Sequence, residues 1–140
     1  MNSTRIEGRF PLNGVINPSG SAIAASKIIL ASLYTTEDVI LQNVPRVGFT
    51  ENDVELLLSL GAECTWLDTN RLKINTSGVS THRVPFETGS RNRTALLLAG
   101  PLLFRFGKAV LPKPVNTAKK PSPIDRFLSV WKDLGLSLIH

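Results

Sequence analysis

Apolar positions along the chain switch between helical and strand spacing in a repeating order. Over residues 21–34 they recur three and four apart, with Ala25, Ile28, Ile29, Ser32 and Leu33 on one stripe, which predicts a helix. "DVILQNV", residues 38–44, is predicted as a strand. Thr50, with Asp53 three residues on, forms a helix start; the helix runs through Val54, Leu57 and Leu58 to Leu60, with Gly61 as its stop. "ECTWL" and "RLKIN" alternate on either side of Asp68, Thr69 and Asn70, which predicts a hairpin. Residues 14–17 supply a short leading strand, giving the order β-α-β-α-β-β. "IEGR" at residues 6–9 lies within strand-like sequence and is taken as native rather than as a protease tag.

The order then begins again. "VPF" from Val84 is strand-like, Ser90 caps a helix through Leu96, Leu97 and Leu98 to Phe106, and "AVL" from Ala109 is strand. Ser122, Pro123 and Asp125 open a last helix ending at Leu134, since proline suits the first helical position after a serine cap. Leu60-Gly61 before "AECTWL" and Leu134-Gly135 before "LSLIH" are matching points about 70 residues apart, as in a structural repeat. The expected class is α/β: two consecutive β-α-β-α-β-β units, the second incomplete. "LSLIH" is read as a strand, after which the second unit stops one strand short with its hairpin unfinished; the last sheet edge would stay unpaired, so the chain is expected to be part of a longer protein.

Length and composition narrow the class. With 140 residues, 42% of them hydrophobic, the chain suits one ordinary domain with a real core. It has neither an 18-residue apolar window nor a basic-apolar leader, so a cytoplasmic location is expected. One cysteine, Cys64, precludes an internal disulfide. With two histidines, His82 and His140, there is no metal-ligand spacing, and neither metal nor cofactor is expected. Cys64 follows "LGAE" on a strand and is read as a small buried hydrophobe rather than a nucleophile. The net charge of +5 is concentrated in Arg91, Arg93, Arg105, Lys108, Lys113, Lys119, Lys120 and Arg126. Such a cluster suits an anionic partner. A nucleic-acid surface would add exposed aromatics, whereas Phe104, Phe106 and Phe127 fall in patterns that read as buried.

"NPSGSAIAASKIILASLY", residues 17–34, sets a turn of small residues before a helix. Free N–H groups and the positive helix end make that geometry receptive to anions. The positions that would carry charge are nonetheless Ala22 and Ile23.

"RIEGRFPLNGVINPSG", "VILQNVP", "LLLSLGAE", "SRNRTALLLAGPLLFRFG" and "PIDRFLSVWKDLG", in that order, resemble the opening third of the enolpyruvyl transferases. The likeness is nearest to the branch that transfers the enolpyruvyl group of phosphoenolpyruvate to UDP-N-acetylglucosamine in peptidoglycan precursor synthesis; the sister branch acts in the shikimate pathway. The resemblance implies six β-α-β-α-β-β units in two inside-out α/β domains. Residues 1–20 then supply strands of the second domain, and residues 21–140 part of the first. It also implies an addition and elimination: a sugar hydroxyl attacks C2 of phosphoenolpyruvate, C3 is protonated, and phosphate leaves. That chemistry needs cations around a phosphate and a carboxylate, with a positioned acid and base between two domains that close.

The resemblance assigns substrate roles residue by residue. Arg93 matches the helix-start arginine that contacts the nucleotide sugar, although it also fits a solvated first-turn arginine. Asp125, with Ser122, Pro123 and Ile124, matches the Pro-x-Asp segment that binds the UDP-sugar; as the third residue after a Ser122 cap, Asp125 equally suits a ligand-free helix start. Lys120, beside Lys119, stands where the active-site loop has an anion-binding arginine. The loop's usual catalytic cysteine or aspartate falls among Val115, Asn116 and Thr117, none of which is a useful acid near neutral pH. Ala22 and Ile23 replace the lysine and polar residue that engage phosphoenolpyruvate. Lys27 matches a phosphate-contacting position of the shikimate branch, but it sits about 7.5 Å along the helix and about 140° around from residue 22. The chain is then a transferase portion with diverged catalytic positions, or a non-catalytic relative keeping nucleotide-sugar binding, or a shikimate-pathway enolpyruvyl transferase, or, outside the family, a basic nucleic-acid-binding module.

Overall fold

A computed structural model describes residues 4–9, 11, 13–113 and 124–138. Helix α1 (Ala22–Ala31) starts on Ser21, whose Oγ accepts from the Ala24 N–H at 3.3 Å, and tightens into a 3₁₀ turn over Ser32–Tyr34. Strand β1 (Val39–Leu41), helix α2 (Gly48–Ser59) and the hairpin β2 (Glu63–Trp66) and β3 (Leu72–Asn75) follow. The sheet order is β1-β3-β2, with β3 antiparallel to both neighbours and Ile74 opposite Val39 and Cys64. Period-2 alternation divides the faces. Leu72 and Ile74 are fully buried in the core with Ile29, Leu30, Leu33, Leu56 and Leu57, and Leu41, Cys64 and Trp66 pack at its margin. Lys73 and Ile40 face the other way. The predicted hairpin turn is present, closed by Asp68 Oδ1 accepting from the N–H groups of Asn70 and Arg71.

Both Leu-Gly matching points end helices in the same way. The Gly61 and Ala62 N–H groups bond to the Leu58 and Leu57 carbonyls; those of Gly135 and Leu136 bond to Lys132 and Trp131. Each glycine is left-handed, at φ 97° and 85°, a conformation that satisfies the last carbonyls and that glycine adopts without a Cβ penalty.

Several sequence expectations are corrected. In α1 the buried arc includes Ser26 and Leu30, while Ile28 is half exposed, because α1 packs against both α2 and the 3₁₀ segment that follows residue 92. Helix α2 starts two residues before Thr50: Val47 is the cap, and Thr50 Oγ1 reaches back to accept the Val47 N–H at 3.2 Å. Within α2, Leu56 is buried and Leu58 is half exposed. Residues 14–17 form no strand, since no described strand pairs with them, and Val15 and Ile16 are exposed.

The helix predicted over residues 90–106 is divided. Helix α3 (Phe86–Gly89) ends at Ser90, a 3₁₀ segment covers Arg93–Leu98, and α4 (Ala99–Phe106) stops at left-handed Gly107. Residues around Val84 and Ala109 contribute only one parallel bridge, Arg83 with Val110, in place of two strands. Helix α5 (Ile124–Asp133) falls within the last predicted helix, whose Ser122-Pro123 start lies outside the described residues, and residues 136–138 are not strand. Phe104 is 71% exposed, edge-on to Tyr34, and Phe127 is half exposed, contrary to their buried reading. In the short α4 the inward side belongs to Pro101 and Leu102, which leaves Phe104 outside.

Candidate functional site

Arg93 stands at the entry to the 3₁₀ segment, and its side chain is exposed. The backbone beneath it is tightly held. Asn92 is extended, at φ −109° and ψ 110°, and its Oδ1 accepts from the Thr94 N–H at 3.0 Å. Asn92 Nδ2 donates to Asp53 Oδ1 at 2.9 Å, and the Thr94 hydroxyl donates to the same oxygen. Asp53 lies on α2, fully buried, and its Oδ2 has no hydrogen-bond partner among the described residues. Its placement differs from the helix-start role expected from its spacing to Thr50. The sequence signal for Asp53 and Asn92 was weak: an aspartate inside a helix and an asparagine before an apolar run each have ordinary local explanations.

Beside this turn a polar cavity of about 270 Å³ opens between α2 and α3, lined by Asn52, Glu55, Glu87, Thr88, Arg91 and Asn92. Arg91 is exposed, as are Lys108, Lys113 and Arg126. Arg105 is not available to a ligand in the same way: its guanidinium donates to Thr76 and Val79 and ties α4 to the loop after β3.

The turn before α1 is built by close contact. Gly20 N–H donates to Asn43 Oδ1 at 3.2 Å, and a Cβ on Gly20 would come within 1.8 Å of the Asn43 carbonyl oxygen. Ala22 is half buried and Ile23 exposed. The neighbouring groove of about 490 Å³ is lined by Ala24, Ile28, Ile40 and Leu41 alongside Gly20 and Asn43, and among the described residues its lining carries no cation. Lys27 alters this picture. Its side chain leans toward the helix N-terminus, as Cβ geometry favours, and its ammonium lies 3.2 Å from the Ile23 carbonyl. The charge therefore sits nearer the turn than the Cα spacing implied. The 3₁₀ segment headed by Arg93 packs on α1, so the elements bearing Ala22, Ile23, Lys27 and Arg93 are brought together.

Lys120, Ser122, Pro123 and the loop positions Val115, Asn116 and Thr117 lie outside the described residues, as does Lys119. Ile124 and Asp125 open α5. Cys64 is half buried, and desolvation pushes its thiol up to about 11, which leaves little thiolate at neutral pH. No described helix is long and apolar enough to cross a membrane.

Residues 6–137 match the family model of EPSP synthase (3-phosphoshikimate 1-carboxyvinyltransferase). A UDP-N-acetylglucosamine 1-carboxyvinyltransferase of Bradyrhizobium diazoefficiens is 43% identical over 130 residues, covering 93% of this chain and 30% of the relative. One of the same name from Campylobacter hominis is 33% identical, covering 99% of this chain and 33% of the relative. The chain thus spans about a third of the length of these relatives. Among solved structures, the enolpyruvyl transferase NikO from Streptomyces tendae superimposes with a TM-score of 0.71 at 20% identity, over 92% of this chain and 28% of that one.

Proposed function

The chain belongs to the EPSP synthase family, and from that membership we propose that it is the nucleotide-sugar-holding portion of an enolpyruvyl transferase acting on UDP-N-acetylglucosamine and phosphoenolpyruvate. The observation that carries this is Arg93, an exposed guanidinium on a backbone fixed from both sides. A planar, permanently charged donor fork suits the oxygens of a nucleotide sugar. Lys120 and Asp125, with Ser122, Pro123 and Ile124, would complete the contacts as in the resemblance described above. Peptidoglycan precursor synthesis in the cytoplasm is the corresponding role.

The reacting end is less well supplied. Transfer requires cations at the phosphate and carboxylate of phosphoenolpyruvate, and a group to protonate C3. Ala22 and Ile23 offer neither, and Val115, Asn116 and Thr117 offer no acid. This favours a second reading, a relative that binds the nucleotide sugar without turning it over. Lys27 places a cation near that turn, its ammonium donating to the Ile23 carbonyl. Its exposed ammonium is a flexible point charge.

Titration calorimetry tests the proposal. UDP-N-acetylglucosamine should bind measurably and phosphoenolpyruvate much more weakly. Arg93→Ala should cost about 1.5–3 kcal/mol of UDP-sugar binding, the range for a hydrogen bond to a charged group, and more than Lys27→Ala. Equal, small effects at the two positions would make Arg93 an ordinary surface residue. Binding of arbitrary nucleic acid, with a steep loss in salt, would favour the basic-module alternative instead.

A further inference from the structure

Asp53 is the buried ionisable group that the proposed chemistry leaves unused. It lies on α2, reaches residues 39 and 41 positions away in sequence, and takes both hydrogen bonds on a single oxygen. Its second oxygen is buried without a partner among the described residues. Such an arrangement costs free energy, because a carboxylate removed from water needs compensation at all of its lone pairs. Apolar packing would hold α2 against the following segment without that cost.

What the carboxylate adds is location. It grips Asn92 and Thr94, the residues on either side of Arg93, and Asn92 in turn caps the Thr94 N–H. Three hydrogen bonds thus define the chain direction through Arg93. The arginine is left exposed, with its Cα origin fixed and its side chain free to meet a ligand. We infer that Asp53 is a positioning residue for Arg93, holding the Asn92–Thr94 turn so that the Arg93 side chain leaves the backbone in one direction and its guanidinium can reach the anionic part of a nucleotide sugar. The inference rests on the proposed function for its ligand, but not for its geometry.

Two measurements on the full chain separate those parts. Amide hydrogen exchange reads the clamp without ligand. In Asp53→Leu, and in the milder Thr94→Val should the first variant not fold, exchange at residues 92–95 should rise at least about tenfold while β3 amides change little. Asp53→Asn keeps an acceptor oxygen and should restore protection. Uniform loosening of the whole chain, or unchanged exchange at 92–95, would overturn the clamp. Binding of UDP-N-acetylglucosamine reads its consequence through a double-mutant cycle. Asp53→Leu or Thr94→Val should weaken binding several-fold in the wild-type background and hardly at all beside Arg93→Ala, because both changes act through one group. Additive losses would show that Asp53 acts elsewhere and overturn the positioning role. Absence of binding by the unsubstituted chain would remove the UDP-sugar reading and the ligand part of this inference, leaving the exchange result to decide the clamp.

Discussion

At the scale of single residues, close approach explains positions that spacing does not. Gly20 has the Asn43 carbonyl where a side chain would begin. Gly20→Ala should therefore destabilise the chain by about 1–3 kcal/mol, the usual range for overpacking. Gly48→Ala, in the first turn of α2 with open space around it, should be neutral or slightly stabilising through helix propensity. Urea denaturation of the two variants checks the contrast, and equal losses would mean that the Gly20 turn yields without strain. Residue chemistry was only partly legible in the sequence. The resemblance directs attention to Arg93 by its motif, whereas Asp53 reads only as helix-start chemistry because its partners, Asn92 and Thr94, are brought to it by the fold. Cα spacing alone does not give the position of the Lys27 charge, since its four-carbon stem carries the ammonium back to the Ile23 carbonyl.

Among the elements, the three-stranded sheet and its two covering helices follow directly from period and turn chemistry: the hairpin, the Leu-Gly helix stops and α1 all stand where the pattern puts them. The divided helix after Val84 does not. A continuous apolar run from Leu96 to Leu98 carries no mark of the turn that Asp53 imposes at Asn92, a tertiary contact overriding local preference. The exposed edge of the sheet has a testable electrostatic tie. Asp38 at the start of β1 accepts from Lys73 and from Asn75, each at 2.8 Å, and these bonds, that of Lys73 foremost, hold its carboxyl below the usual range. Asp68 is lowered likewise by the Asn70 N–H and then by Arg71. A carboxyl lowered on folding stabilises the fold above its unfolded pKa, and that stabilisation disappears as pH falls through the folded value. Stability should thus decline below about pH 4, and Asp38→Asn with Asp68→Asn should make that acid limb shallower. An unchanged slope would show that exposed solvent already screens both groups.

At the scale of the whole molecule, the chain carries one well-packed sheet-and-helix unit and a second segment that, among the described residues, has a single strand bridge. Helix α5 has Phe127 and Val130 exposed on it, and Leu134 is exposed in the turn that follows. The chain spans about a third of the length of its carboxyvinyltransferase relatives. A site between two domains works by closing, which excludes water and completes the set of reacting groups. The chain alone should therefore release no phosphate above background from phosphoenolpyruvate and UDP-N-acetylglucosamine, and measurable turnover would overturn the division of labour proposed between binding and catalytic positions. The central claim is that Arg93 and its clamped turn meet the nucleotide sugar. Its most direct test is a nuclear magnetic resonance titration of the isotope-labelled chain with millimolar UDP-N-acetylglucosamine, a concentration that detects even weak association. The predicted result is a saturable shift of the amides at residues 91–95, at least about tenfold weaker in affinity for Arg93→Ala and not reproduced by phosphoenolpyruvate. Shifts elsewhere with residues 91–95 unmoved, or the same affinity without the Arg93 side chain, would contradict it.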